Sequence, residues 1–376
     1  MQYRNFGEKI DFKPSALGFG AMRLPVIDGK HDIIDEKKSI KMIRYSIDKG
    51  LNYIDTAWPY HGRNSEIVVG KAIKNGYRDK IKIATKLPSW EIKKPEDMDK
   101  YLNEQLAKLG VKQIDFYLLH TLNKDFWNNL LKHDVFSWIR KIKDEGKINY
   151  IGFSFHGRID TFKKIVDAYE WDFCQIQYNY LNEKHQAGLE GLKYASSRGL
   201  GIVIMEPLLG GRLAERQPEQ IQQIFDSSSI ERTNADWALQ WLWNQAEVSL
   251  VLSGMSNLQQ VKENINSALN SGINSLNEEE LKIIKKVVSK YKDINPVNCT
   301  GCEYCMPCPN GVSIPEIISI YNTAHIYNQY KENKKRYEQM DEKNKASACI
   351  DCHICETKCP QNLNISKIMD RIEDYF

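Results

Sequence analysis

Four cysteines, Cys299, Cys302, Cys305 and Cys308, are each separated by two residues in CTGCEYCMPCP, and four more, Cys349, Cys352, Cys355 and Cys359, follow in CIDCHICETKCP. The chain has one other cysteine, Cys174, in an apolar and aromatic run that reads as core. Clustered thiolates are soft metal ligands. The second run matches the C-x2-C-x2-C-x3-C-P spacing of 4Fe-4S centres, and the first is one residue shorter before its last thiol. Structural zinc is the competing assignment, but its ligands usually come as separated pairs rather than four in a row. A second set of chemistry-bearing residues lies far upstream: Asp55, Tyr60, Lys86 and His120, each at or just after the end of a β-rich, apolar run. A lone charge at such a place is costly to bury without a partner, so four in succession read as one interacting set.

The elements that must position these residues follow from the hydrophobic rhythm. Eight short runs, LGFG at 17, NYIDTA at 52, IKIATK at 81, DFYLLH at 115, YIGFSF at 150, FCQIQYN at 173, GIVIME at 201 and VSLVLSG at 248, have the character of strands. Between most of them lie segments with apolar residues at helical spacing, such as KSIKMIRYSIDKG, EDMDKYLNEQLAKLG and TFKKIVDAYE. Parallel strands need helical crossovers, and eight strand-then-helix units predict an α/β fold, a closed (β/α)8 TIM barrel whose chemistry sits at the C-terminal strand ends. Asp55, Tyr60, Lys86 and His120 fall at the ends of strands two, three and four. A doubly wound sheet is the alternative, but GFG at 18 to 20 is no dinucleotide fingerprint.

Composition narrows the class further. The 376 residues carry 52 basic and 49 acidic side chains mixed along the chain, for a formal net charge of +3, with no basic block to mark a nucleic-acid or membrane surface. The opening MQYRNFGEKIDF has no apolar signal core and no later run reaches bilayer length. A cytoplasmic protein is expected, a reducing setting in which clustered cysteines bind metal rather than pair as disulfides.

NYIDTAWPYHGRNSE, ATK and FYLLH resemble the aldo-keto reductase family over about Leu17 to Asn264. The resemblance implies that Tyr60 is the proton donor, Lys86 and Asp55 its partners, and His120 the group that orients a substrate carbonyl. The chemistry is consistent: an ammonium beside a phenol favours the phenolate and makes the phenol a better acid. It also implies a nicotinamide cofactor, NADPH or NADH, at Arg23, Ser154, Gln177, Met205, Leu208, Gly210, Arg212, Ser253 and Asn264. Here the chain departs from its relatives. Family members hold the nicotinamide with a Ser-Asn pair after strand five and a stacking aromatic at strand seven, where this chain has Ser154-Phe155 and Met205. Gly254 and Gln260 stand where many relatives place cations for the 2′-phosphate of NADPH.

After the barrel (residues 1–276), SLNEEELKIIKKVVSKY reads as a connecting helix over 277–292, with Asn277 as N-cap and Glu280 closing a capping box. Residues 293–376 resemble the helical kind of two-cluster ferredoxin domain, with Pro315 at a helix start and a solvated charged helix face between the cysteine runs. In two-cluster ferredoxins the fourth cysteine of a run ligates the other cluster. Two 4Fe-4S clusters are therefore expected, one on Cys299, Cys302, Cys305 and Cys359, the other on Cys308, Cys349, Cys352 and Cys355.

Three functions fit these features. The first is an oxidoreductase acting on a small carbonyl substrate, its clusters carrying electrons between the barrel and an external redox protein such as a ferredoxin. The second is an electron carrier or redox sensor on a degenerate barrel, and in the third the clusters are purely structural. A nicotinamide delivers two electrons as hydride whereas each cluster passes one, and no flavin motif is visible to join them.

Overall fold

The computed structural model describes residues 1–301, 303–327 and 329–376. Each of the eight expected runs overlaps a strand: β1 Leu17–Gly20, β2 Tyr53–Asp55, β3 Lys82–Leu87, β4 Ile114–Leu122, β5 Ile148–Phe155, β6 Phe173–Gln177, β7 Gly201–Met205 and β8 Leu250–Gly254. All neighbouring strands are parallel and β8 pairs with β1, so the sheet closes into a barrel. The crossovers include the helices Glu36–Asp48, Pro95–Leu109 and Ile159–Ala168, which coincide with the three quoted helical patterns. Proline opens Pro95–Leu109, where its missing N–H costs nothing, and Gly110 ends it at φ +66°, a left-handed conformation that suits glycine.

Strand alternation connects the core to the site. Tyr53, Ala84, Phe116 and Leu118 fill the buried centre of the barrel. Two residues beyond Tyr53, Ala84 and Leu118 come Asp55, Lys86 and His120. Successive side chains on a strand face opposite sides, so the pattern that packs the barrel also carries a carboxylate, an ammonium and an imidazole to its C-terminal mouth. The centre is packed further by Phe6 and Ile10 of an N-terminal turn. A Cβ at position 201 would lie 2.2 Å from the Phe6 ring, which explains why β7 opens with glycine.

The chain divides into two compact units, Met1–Pro207 with Ala238–Ser275, and Leu208–Trp237 with Leu276–Phe376. A boundary drawn only at residue 276 leaves Leu208–Trp237 in the barrel; its side chains instead make contacts in the second unit. Gln217 Oε1 accepts from Tyr291 OH, the Arg232 guanidinium donates to Glu280 Oε1 at 2.7 and 3.0 Å, and Tyr327 OH donates to the Arg216 carbonyl at 3.0 Å. The helix Glu278–Ile294 has the expected capping box from Asn277 and Glu280, but it belongs to the second unit and is no bare connector. Beyond it lie the helices Ile314–Ile326, Tyr330–Glu338, Ile354–Lys358 and Ile365–Tyr375 around an aliphatic core that includes Ile314, Ile317, Ile365, Ile368 and Met369. Pro315 sits in the first turn of Ile314–Ile326. Among the described residues no helix is long and apolar enough to cross a membrane.

Candidate functional site

Lys86 is the hub of the barrel mouth. Its ammonium donates to both carboxylate oxygens of Asp55 at 2.7 Å and to the Thr56 carbonyl at 2.7 Å, and lies 3.5 Å from Tyr60 OH. Lys86, Asp55, Tyr60 and His120 are all buried or nearly so. Burial by itself drives Lys86 toward the neutral amine and Asp55 toward the neutral acid, and each partner's charge opposes this. Contacts at 2.7 Å to two carboxylate oxygens and a carbonyl need all three donors of an ammonium, so we assign the charged pair. The His120 ring stands edge-on to Tyr60 at 6.2 Å and against Trp90 at 5.2 Å. Burial first, then the Lys86 charge and His156, hold the His120 imidazole well below its ordinary range, so at neutral pH it carries one N–H to donate.

Two supports were not legible as site residues. Behind Lys86, the buried Glu66 accepts from Thr85 Oγ1 at 2.6 Å and from Gln105 Nε2 at 2.7 Å, while Gln105 also donates to the Lys86 carbonyl at 3.0 Å and accepts from Tyr117 OH at 2.7 Å. These bonds tie β3 and β4 to two helices behind the ammonium. The loop bearing Tyr60 is pinned by His61, whose Nε2 accepts from the Leu24 N–H at 3.1 Å and whose Nδ1 donates to the His31 carbonyl at 2.7 Å. An Asn-Ser-Glu run after Tyr60 is visible in sequence, but nothing local says that Glu66 turns to Gln105, which is 39 positions away.

The residues expected at the nicotinamide fall into separate groups. Ser154, Gln177 and Met205 lie near or at the ends of β5, β6 and β7, where Ser154 Oγ accepts from the Thr121 N–H at 2.7 Å and Met205 Sδ accepts from Gln175 Nε2 at 3.4 Å. Ser253 and Asn264 are brought together, Asn264 Nδ2 donating to Ser253 Oγ at 3.0 Å. The Arg23 stem packs beside Gly254, where a Cβ would come within 3.2 Å of it. Glycine at 254 thus makes room for Arg23. Gln260 folds back to accept from the Ser256 N–H at 2.8 Å, and its own N–H donates to Asn257, the N-cap of the helix Leu258–Leu269. Leu208, Gly210 and Arg212 belong to the second unit, where Arg212 lies over the Tyr291 ring at 5.4 Å.

In the second unit the cysteines line two cavities. Cys299, Cys305 and Cys359 line one. Cys308, Cys349, Cys352 and Cys355 line the other. Each cavity therefore joins the two sequence runs, as the crossed assignment expects; Cys302 lies outside the described residues. Ile314 and Ile365 line both. Burial and the neighbouring Cys299 and Cys359 push the Cys305 thiol up to about 12, and burial, Glu356, Cys349 and Cys308 push Cys355 up to about 11. The linings are mainly thiols and apolar side chains, with Glu303 in one and His353 in the other, and clustered thiols of this kind fit iron-sulfur clusters. Cys174 is buried in β6 and its thiol is raised by burial alone, as a core residue should be.

The aldo/keto reductase family profile matches residues 16–289. The chain belongs to this family. A profile described as a 4Fe-4S dicluster domain matches residues 298–363 of this aldo/keto reductase. Among curated relatives, a probable aldo-keto reductase of Glycine max is 27% identical over 288 residues, covering 68% of this chain and 81% of its own. The NADH-specific methylglyoxal reductase of Escherichia coli is 25% identical over 302 residues, covering 69% and 91%. A solved aldo-keto reductase from Bacillus halodurans, in its holo form, superposes with a TM-score of 0.64 at 27% identity, covering 76% of this chain and 96% of its own. This aldo/keto reductase is thus an oxidoreductase with an appended 4Fe-4S domain, in a family that uses NAD(P)H.

Proposed function

We propose that the protein reduces a small aldehyde or ketone with a nicotinamide cofactor, and that two 4Fe-4S clusters exchange electrons with an external one-electron carrier of the ferredoxin kind. The observation that carries the reading is Lys86, held between the Asp55 carboxylate and the Tyr60 hydroxyl. When bound, the nicotinamide supplies a hydride. Tyr60 OH gives its proton to the carbonyl oxygen as charge develops there, and the Lys86 ammonium stabilises the phenolate left behind. Asp55 keeps Lys86 charged and in place. Neutral His120 donates its N–H to the same oxygen. Arg23, Gln177, Met205, Ser253 and Asn264, all of the first unit, are the residues we assign to the cofactor. Thiolate-held clusters suit a reducing, cytoplasmic setting. Anaerobic titration with NADH, NADPH and reduced ferredoxin, followed by cluster absorbance and by turnover of 4-nitrobenzaldehyde, tests the reading. Cluster reduction without carbonyl turnover would favour an electron carrier on a silent barrel.

Cofactor preference follows from Gly254 and Gln260. Neither offers a cation to the 2′-phosphate of NADPH, and the Gln260 side-chain oxygen is occupied by Ser256. A charge-assisted hydrogen bond contributes about 1.5 to 3 kcal/mol, so without one discrimination should be small. NADH and NADPH are expected to bind within about tenfold of one another, a gap of about 1.4 kcal/mol. Dissociation constants measured with the clusters intact check this; a hundredfold preference for NADPH would place its phosphate on other residues.

A further inference from the structure

Where β4 meets β5, Leu119 pairs with Phe153 and Leu122 with Phe155, so His120 and Thr121 together stand opposite Ser154. Two residues against one make a β-bulge, a device that re-aims side chains beside active sites. Thr121 adopts φ +56°. That left-handed conformation is an outlier for a β-branched residue, and such strain persists where surrounding structure over-determines it. The Thr121 N–H donates to Ser154 Oγ at 2.7 Å, both residues being buried. The next turn of chain is also fixed, since the His156 N–H donates to the Leu122 carbonyl at 2.8 Å.

We infer that Ser154 is a positioning residue for His120: its hydroxyl pins the bulge at Thr121 and so sets the direction in which the imidazole enters the barrel mouth. This differs from the nicotinamide-holding role that the family resemblance implies for the same serine, and it rests on the proposal that His120 orients the substrate carbonyl. The two roles are separated by what Ser154→Ala loses: cofactor affinity if the serine holds the nicotinamide, kcat alone if it positions His120.

Ser154→Ala removes the acceptor. With 4-nitrobenzaldehyde as the probe carbonyl, kcat is expected to fall about tenfold or more, since small misplacements of a reacting group have effects of that size. The Kd values for NADH and NADPH should stay within about twofold, because no group holding the cofactor is taken away on this reading. Thr121→Gly supplies the rescue: glycine adopts a positive φ at no steric cost, so the bulge no longer needs the serine, and Ser154→Ala added to Thr121→Gly should leave kcat nearly unchanged. If Ser154→Ala alone does not fold, that comparison in the glycine background still decides. A rise in Kd with kcat intact, or an equal kcat loss in both backgrounds, overturns the inference. His120→Gln separates it from the underlying reading: if that variant keeps full kcat, the role of His120 has failed, whereas a crippled His120→Gln beside an unaffected Ser154→Ala defeats the positioning role alone.

Discussion

Tyr60→Phe is expected to lower carbonyl-reduction kcat by about a hundredfold or more, the usual size of a general-acid contribution. The substitution keeps the ring and deletes the proton. About two logarithmic units in rate correspond to about 2.7 kcal/mol of transition-state stabilisation, which is plausible for a hydroxyl that lies 3.5 Å from a buried ammonium. Ground-state binding should hardly change, so KM stays near its parent value while kcat collapses. Lys86→Met should be comparably inactive, but for two reasons that must be separated. It removes the charge that makes Tyr60 acidic, and it leaves the Asp55 carboxylate buried and unpaired, a cost of about 3 to 5 kcal/mol in stability. Lys86→Met with Asp55→Asn avoids the orphaned charge and should regain stability while remaining inactive. Thermal unfolding and steady-state kinetics on the same preparations check both. Unchanged turnover in Tyr60→Phe would mean that the tetrad performs no acid catalysis, and weight would move to the electron-carrier reading.

Anaerobically prepared protein should contain about eight irons and eight sulfides per chain, two cubanes of four each. The crossed cavities make a sharper statement. Cys308 stands in the first run yet lines the cavity of Cys349, Cys352 and Cys355, whereas Cys359 stands in the second run and lines that of Cys299 and Cys305. Cys308→Ser and Cys355→Ser should therefore perturb the same paramagnetic signal of the reduced protein, and Cys305→Ser and Cys359→Ser the other. If Cys308→Ser instead perturbs the signal affected by Cys305→Ser, each run serves its own cluster and the crossing is wrong. Stoichiometric zinc without iron in anaerobically purified protein would overturn the cluster assignment altogether.

Much of this was readable without coordinates because it depends on local pattern. The strand-like runs placed Asp55, Lys86 and His120 at the C-terminal strand ends. Cysteine spacing pointed to cluster chemistry, because three thiols two residues apart can reach one cubane, whereas the fourth cysteine lining each cavity comes from the other run. Asn277 and Glu280 announced a helix start through bonds spanning three residues. Other features came from contacts between distant segments, which no local pattern encodes. Glu66 and Gln105 brace Lys86 from two helices that approach only in the closed barrel. Leu208–Trp237 follows a barrel strand in sequence, but Gln217 and Arg232 find their partners at Tyr291 and Glu280, 74 and 48 positions away. The β-bulge at Thr121 was equally hidden: LLHTL reads as a regular strand, and only its register against β5 shows one residue too many. Sequence thus determined the candidate side chains and the strand ends at which they stand. The tertiary structure decided how each is held, because holding depends on hydrogen bonds whose two ends are chosen by the packing of strands and helices.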